Sequence, residues 1–149
     1  MHKSVQDVLN MKKNGEKISV LTSYDYTLAS LCDRAGIDIL LVGDSAGMVM
    51  LGYENTIPVT MDQMCMFTEA VSRARKDSLL VADLPFMSYQ INIDDAIRNS
   101  GRLIKAGADA VIVGSAFLKL IEKTPQNKLE SEIQQFTKSL KKHTVPVKK

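Results

Sequence analysis

The chain has 149 residues, 45% of them apolar and 24% charged, and a formal charge of +2. That length and balance are those of one globular domain with room for a core. The small charge gives no surface for nucleic acid, and no apolar run approaches the ~20 residues of a membrane span.

The predicted elements alternate. Lys17–Thr22 is a short β-rich run. Tyr26–Ala35 reads as a helix with Leu28, Leu31 and Cys32 on its apolar face and Gly36 just past its end. Ile37–Val42 is a continuous apolar run, as a strand covered on both faces would be. Gly43 and Gly47 bracket the turn that follows, and a longer connection runs from Met48 to Pro58. Thr60, with Gln63 three residues on, has the pattern of a capping box for a helix to about Arg75. Ser78–Ala82 is the third strand, closed by Asp83-Leu-Pro85. Asn92, Asp94 and Asp95 suit a helix N-terminus. Ile97, Leu103 and Ile104 give that helix its apolar face, and Gly107 ends it. Ala110–Val113 is the fourth strand. Gly114-Ser115 leads into a helix with Phe117, Leu118, Leu120 and Ile121; Pro125 interrupts it, and Leu129–Leu140 is a last amphipathic helix.

Four β-then-α units in a row predict an α/β fold with a parallel sheet and right-handed crossovers. An open doubly wound sheet and a piece of a (βα)8 barrel both fit. A whole barrel takes ~250 residues, so this chain could supply about half of one.

Cys32 and Cys65 have no metal-site or disulfide spacing and lie in apolar helical patterns, so buried free thiols are expected. No signal peptide is recognisable, and a reducing, cytoplasmic setting is the default expectation. The lysines Lys138, Lys141, Lys142, Lys148 and Lys149 read as a solvated helix face and tail.

In parallel α/β folds, ligands bind beyond the C-terminal ends of the strands. Asp44 and Asp83 emerge there from neighbouring strands. Two adjacent carboxylates repel, and Mg²⁺ relieves the repulsion while keeping open positions for substrate oxygens. A 2-oxo acid could fill those positions through its carboxylate and keto oxygens, and the metal would polarise the carbonyl. The plain alternative is that both aspartates cap helices. Ser45 could bind a substrate carboxylate or cap a helix. Tyr24 and Tyr26 could line the pocket, with packing the simpler role, and exposed roles are expected for His2 and His143. Gly114-Ser115 could offer backbone N–H groups to a phosphate, or be a plain turn.

Ser23-Tyr-Asp-Tyr26, Leu41-Val-Gly-Asp-Ser-Ala-Gly-Met48, Thr56-Ile-Pro-Val-Thr60 and Ala82-Asp-Leu-Pro-Phe-Met87, in this order and spacing, resemble ketopantoate hydroxymethyltransferase. The resemblance covers about the first 110 residues. It implies a metal-dependent (βα)8-barrel enzyme of pantothenate synthesis. Such an enzyme transfers a hydroxymethyl group from 5,10-methylenetetrahydrofolate to the 2-oxo acid 3-methyl-2-oxobutanoate, giving ketopantoate. It also implies Asp44 and Asp83 as Mg²⁺ ligands and Ser45 as a contact to the substrate carboxylate. After Lys105-Ala-Gly-Ala108 the family carries a Lys and, two residues later, a Glu. Here Ile112 and Gly114 stand at those positions. The family's later glutamate, the base for the C3 proton, has no counterpart, so the catalytic residue is unassigned and activity is expected to be weak or absent.

From Gly107 onward the chain is similar to the last βα unit of the tryptophan synthase α subunit, whose Gly-Ser pair helps hold the phosphate of indole-3-glycerol phosphate. Gly114 and Ser115 match that pair. The expected organisation is therefore one domain, 1–149, with a ketopantoate hydroxymethyltransferase-like segment over 1–106 and a closing unit over 107–149. Its fold would be a parallel (βα)4 unit, half of a TIM-type barrel completed by dimerisation into a homo-oligomer. The alternative to an enzyme is a chimeric half-barrel scaffold that self-associates and binds metal or phosphate without turnover.

Overall fold

Short runs of β-branched and leucine residues form a four-stranded parallel sheet in a computed structural model that describes residues 2–143. Within that range the side chains of Ser115, Ala116, Leu118, Lys119 and residues 140–143 lie outside the description. The elements are α1 (Val5–Lys13), β1 (Val20–Thr22), α2 (Tyr26–Arg34), β2 (Ile39–Val42), α3 (Ala46–Val49), α4 (Met61–Ala74), β3 (Leu79–Asp83), α5 (Ile93–Lys105), β4 (Ala110–Ile112), α6 (Ser115–Lys123) and α7 (Leu129–His143). The strand order is β1-β2-β3-β4. It runs in one direction, unlike a doubly wound sheet, whose order reverses at a switch point.

Register places Thr22 beside Leu41, Leu41 beside Val81, and Val81 beside Ala110. Alternation then divides the sheet into two faces. Leu40, Val42, Leu80 and Ala82 point into the core, where they join Met64, Val71, Ala96 and Leu103 from the helices. The opposite face carries Val20, Ile39, Leu41, Val81, Asp83 and Ile112, none of them fully buried, and Leu79, which is buried. Val20 is 53% and Ile112 44% exposed, so this face stays partly open.

The expected caps form. Thr60 and Gln63 make a reciprocal capping box on α4, and the Asn92 side chain accepts from the Asp95 N–H to start α5. Gly107 follows α5 with φ +108°, and a Cβ there would come within 2.0 Å of the Ser72 hydroxyl oxygen, so glycine is required on both counts.

The N-terminal ends of the strands are tied by two buried charged groups. Arg75 bonds the Ser78 and Gly107 carbonyls, each at 3.0 Å, and pairs with Asp109, which accepts the Leu80 N–H at 2.9 Å. Asp33 accepts the backbone N–H groups of Lys76, Asp77 and Ser78 and the Ser78 hydroxyl. Burial alone would raise the Asp33 carboxyl, but these four donors outweigh it and hold it at about 2.

Several expectations need correction. Leu28 and Leu31 are 41% and 53% exposed; α2 instead buries Ala29 and Cys32, because small residues let it lie close to α4. Tyr26 is exposed rather than packed. Cys32 is buried, whereas Cys65 is only half-buried, on a flank of α4 that its neighbours partly cover; both are free thiols. Helix α1 is an element the apolar pattern does not announce, since none of its residues is buried. No helix among the described residues is long and apolar enough to cross a membrane.

Candidate functional site

The C-terminal ends of β1, β2 and β3 bring together residues from three of the motifs. After β1 the chain continues through Ser23 and Tyr24, both buried. Tyr24 sets its ring edge-on against Phe67 of α4, with centroids 6.4 Å apart. Its hydroxyl lies 2.7 Å from the Ser45 hydroxyl. Ser45 occupies the N-cap position of α3 but makes no capping hydrogen bond from its side chain. Its hydroxyl is thus turned toward Tyr24 rather than spent on the helix end.

Gly43 lies between the polar groups. A Cβ there would sit 3.0 Å from the Ser45 hydroxyl oxygen and 3.3 Å from an Asp83 carboxylate oxygen. The absence of that carbon lets the β2 turn and the end of β3 close on each other. Gly47 has a similar role in the next turn of chain: a Cβ there would fall 2.3 Å from Val59, so the turn after β2 and the Ile57-Pro-Val59 segment fit only around glycine.

Asp44 and Asp83 are both half-buried. Burial pushes the Asp83 carboxyl up, the Asp44 charge pushes it further in the same direction, and the Asp44 backbone N–H that it accepts only partly offsets them. Neither aspartate caps a helix: Ser45, Thr60 and Asn92 hold the N-cap positions of α3, α4 and α5. Asp25, inside the first motif, is the acid that does cap, accepting the Leu28 N–H at 2.9 Å. The two candidate ligands thus form a carboxylate pair under mutual repulsion, which is the electrostatic condition a divalent cation relieves. Among the described residues no group of three or more His, Cys, Asp or Glu side chains is arranged for a metal, so the pair would leave most of a cation's shell to water or substrate.

Gly114 is exposed at the N-terminus of α6, just past β4, without a side-chain cap on that helix. A Cβ there would meet only the Tyr89 hydroxyl, at 4.0 Å. Ser115 starts α6, with its side chain outside the description. His2 is exposed, and the His143 side chain lies outside the description. Tyr24 is the residue whose role sequence reasoning missed; packing accounts for its ring, but its hydroxyl holds Ser45.

Solved structures with a similar fold are α/β barrels. Phosphoenolpyruvate phosphomutase from Streptomyces platensis subsp. rosaceus matches with a TM-score of 0.61 at 18% identity, over 73% of this chain and 37% of that one. A phosphonopyruvate hydrolase solved in complex with oxalate and Mg²⁺ matches with a TM-score of 0.59 at 10% identity, over 96% of this chain and 61% of that one. These likenesses bear on the fold alone.

The sequence comparisons reach further. The 3-methyl-2-oxobutanoate hydroxymethyltransferase of Nitrosopumilus maritimus (strain SCM1) is 84% identical over 111 residues, which is 74% of this chain and 40% of that protein. The enzyme of the same name from Cenarchaeum symbiosum (strain A) is 69% identical over 99 residues, 66% of this chain and 37% of that protein. The chain therefore spans about two fifths of the length of the curated relatives it matches. The family model for ketopantoate hydroxymethyltransferase matches residues 2–143. With that match over nearly its whole length, the chain belongs to the ketopantoate hydroxymethyltransferase family.

Proposed function

We propose that this chain carries the oxo-acid half of a ketopantoate hydroxymethyltransferase site. In this reading Asp44 and Asp83 hold Mg²⁺, and Ser45, set by Tyr24, receives the carboxylate of 3-methyl-2-oxobutanoate. The one-carbon donor is 5,10-methylenetetrahydrofolate. The observation that carries the reading is the carboxylate pair: two half-buried aspartates on adjacent strands, neither capping a helix, with Asp83 driven toward its neutral form by burial and by Asp44. Neutralising such a pair with a cation removes the repulsion without a structural change.

The chain's own residues bind and orient. Tyr24 and Ser45 share one hydrogen bond, which leaves the second hydroxyl hydrogen of the pair free to point at an anionic oxygen. Gly43, with no side chain, lets Ser45 and Asp83 approach each other. The cation, when bound, would supply polarisation of the keto group. The cytoplasm is where such a biosynthetic step would take place.

The test is calorimetric titration of Mg²⁺ and then of 3-methyl-2-oxobutanoate, with ketopantoate assayed on addition of 5,10-methylenetetrahydrofolate. Binding of the oxo acid that requires Mg²⁺ and disappears in Asp44→Ala and Asp83→Ala supports the reading. Binding that survives both substitutions refutes it. Binding without product would favour the scaffold alternative, in which the site is retained without turnover.

The anion-binding role expected for Gly114 and Ser115 has one observation in its favour, the helix N-terminus of α6 without a side-chain cap. A thermal melt in millimolar phosphate, with and without Gly114→Pro, checks it. A rise in Tm that the substitution abolishes is the expected sign.

A further inference from the structure

We propose that Asn14-Gly15 is a modification site, at which the folded protein deamidates to aspartate and isoaspartate without an enzyme.

Asn14 alone among the asparagines of the chain precedes a glycine; the others precede Met, Thr, Ile, Ser or Lys. The reaction needs the backbone nitrogen of the following residue to reach the carbonyl carbon of the asparagine side chain. A Cβ on that residue hinders the approach, and glycine has none. Asn14 and Gly15 are both exposed. A Cβ built on Gly15 would meet nothing within 4 Å, so no neighbouring group crowds the attack.

What opposes the reaction is the helix end itself. Asn14 is the C-cap of α1, and Gly15 follows it with φ +75°. The Gly15 N–H donates to the Lys12 carbonyl at 3.2 Å and the Glu16 N–H to the Met11 carbonyl at 3.0 Å, which closes the helix in a Schellman turn. The first of these bonds must open before the nitrogen can react. α1 has 9 residues and buries none of them. A helix shorter than ~12 residues is marginal in water unless packing supports it. Its end therefore opens at a cost well below that of global unfolding, and the nucleophile is released while the sheet stays folded.

The chemistry balances with water alone. Hydroxide takes the Gly15 amide proton, and the nitrogen bonds to Asn14 Cγ. The Cγ–Nδ2 bond breaks and ammonia leaves, giving a succinimide ring. Water then opens one of the two ring carbonyls. One opening gives aspartate; the other gives isoaspartate, in which the backbone runs through the former side chain. Nothing is oxidised or reduced. Either product weakens the end of α1. The Asn14 side-chain amide donates to the Glu16 carboxylate at 3.1 Å. A carboxylate in its place repels Glu16 and stands at the negative end of the helix. Lys3, just ahead of α1, pairs with Asp38 and donates its N–H to the Asp77 carbonyl, at the end of the sheet opposite Asp44 and Asp83. None of this touches the chemistry proposed for that pair.

The test is to hold the native 149-residue polypeptide at pH 8, sample it over days, digest it with Glu-C and sequence the peptides by mass spectrometry. The peptide that ends at Glu16 contains both Asn10 and Asn14, so each sample carries its own comparison. The expected result is conversion at Asn14 with Asn10 intact, at a rate comparable to that of the chain unfolded in urea and rising with hydroxide. Two chromatographic products, aspartate and isoaspartate, should form together. Gly15→Ala should suppress both, and hydrogen exchange in α1 should be much faster than in α4. Conversion at Asn14 no faster than at Asn10 overturns the proposal. Conversion in urea but not in the native protein also overturns it, because the Schellman turn would then hold. Aspartate formed without isoaspartate would mean direct hydrolysis, and excludes the succinimide route.

Discussion

The hydroxyl of Tyr24 stands 2.7 Å from the hydroxyl of Ser45, joining the strand end that follows β1 to the turn that follows β2. Each residue lies in a different motif, and the contact turns two separate signatures into one site. Tyr24→Phe keeps the ring edge-on to Phe67 and removes only the hydrogen bond. Such a bond contributes about 1 kcal/mol. The expected outcome is an oxo-acid affinity weakened about fivefold with the melting temperature nearly unchanged, read by calorimetry in the presence of Mg²⁺. A large fall in Tm without a change in affinity would make the hydroxyl structural.

Asp83→Asn separates stability from binding. The folded chain holds the Asp83 carboxyl above its ordinary value of 3.8, so its ionised form costs stability. The sign follows directly. The cost is present at neutral pH and disappears as pH falls through the raised folded value, where the folded protein takes up its proton first. Without Mg²⁺, Asp83→Asn should therefore melt higher than the parent at pH 7, and the gap should close on acidification. With Mg²⁺ the order reverses, because the variant loses a ligand and at least about tenfold in metal affinity. Melts at two pH values, with and without the cation, read both effects. A variant that is less stable than the parent in metal-free buffer at pH 7 contradicts the repulsion.

Asp33 predicts the opposite pH behaviour from the other end of the sheet. Its four donors hold it at about 2 against an ordinary value of 3.8. A depressed carboxyl contributes stability that is complete above the unfolded value and is lost as pH falls from about 4 toward 2. The shift corresponds to about 2 kcal/mol. Asp33→Asn should cost about that much at pH 7 and flatten the acid limb of the stability curve. Urea midpoints measured between pH 2 and 7 decide it, and an unchanged acid limb refutes the assignment.

β2, β3 and β4 were legible because each is an apolar run beside a glycine or aspartate, β1 because it is a short β-rich run, and the Thr60 and Asn92 caps because their side chains bond within three residues. What escaped is long-range or depends on a neighbour. Leu28 and Leu31 have the period of a buried face, but periodicity does not say which neighbour covers it, and here the buried strip is Ala29 and Cys32. The Tyr24 hydroxyl finds a partner 21 positions away, and Arg75 pairs with Asp109 across 34, with no local sign of either. Helix α1 does carry a local sign, the Ser4-to-Asp7 capping box, but its polar residues bury nothing and leave no apolar period. The aspartate pair itself was visible as two strand-end residues. That neither caps a helix needed the fold, because spacing alone fits both roles.

Gly114 gives the sharpest test of how the pair is built. It lies just past β4, next to the strand that carries Asp83, where the resemblance places a glutamate. Its φ is −92°, which any residue adopts, and a Cβ would meet only the Tyr89 hydroxyl at 4.0 Å. Gly114→Glu should therefore fold, and a carboxylate reaching the pair as a third ligand should raise Mg²⁺ affinity by about tenfold or more, some 1.4 kcal/mol. Without metal the added charge works against Asp44 and Asp83, so the variant should melt lower at neutral pH and recover on acidification. A glutamate at a helix N-terminus also interacts favourably with the helix itself, and Gly114→Gln controls for side-chain bulk without the charge. The decisive quantity is the rise in Tm on adding Mg²⁺. A rise much larger for the Glu variant than for the Gln variant shows three carboxylates converging on one cation. Equal rises show that position 114 does not reach the pair, and that the two aspartates with their waters and substrate are the whole of the metal site.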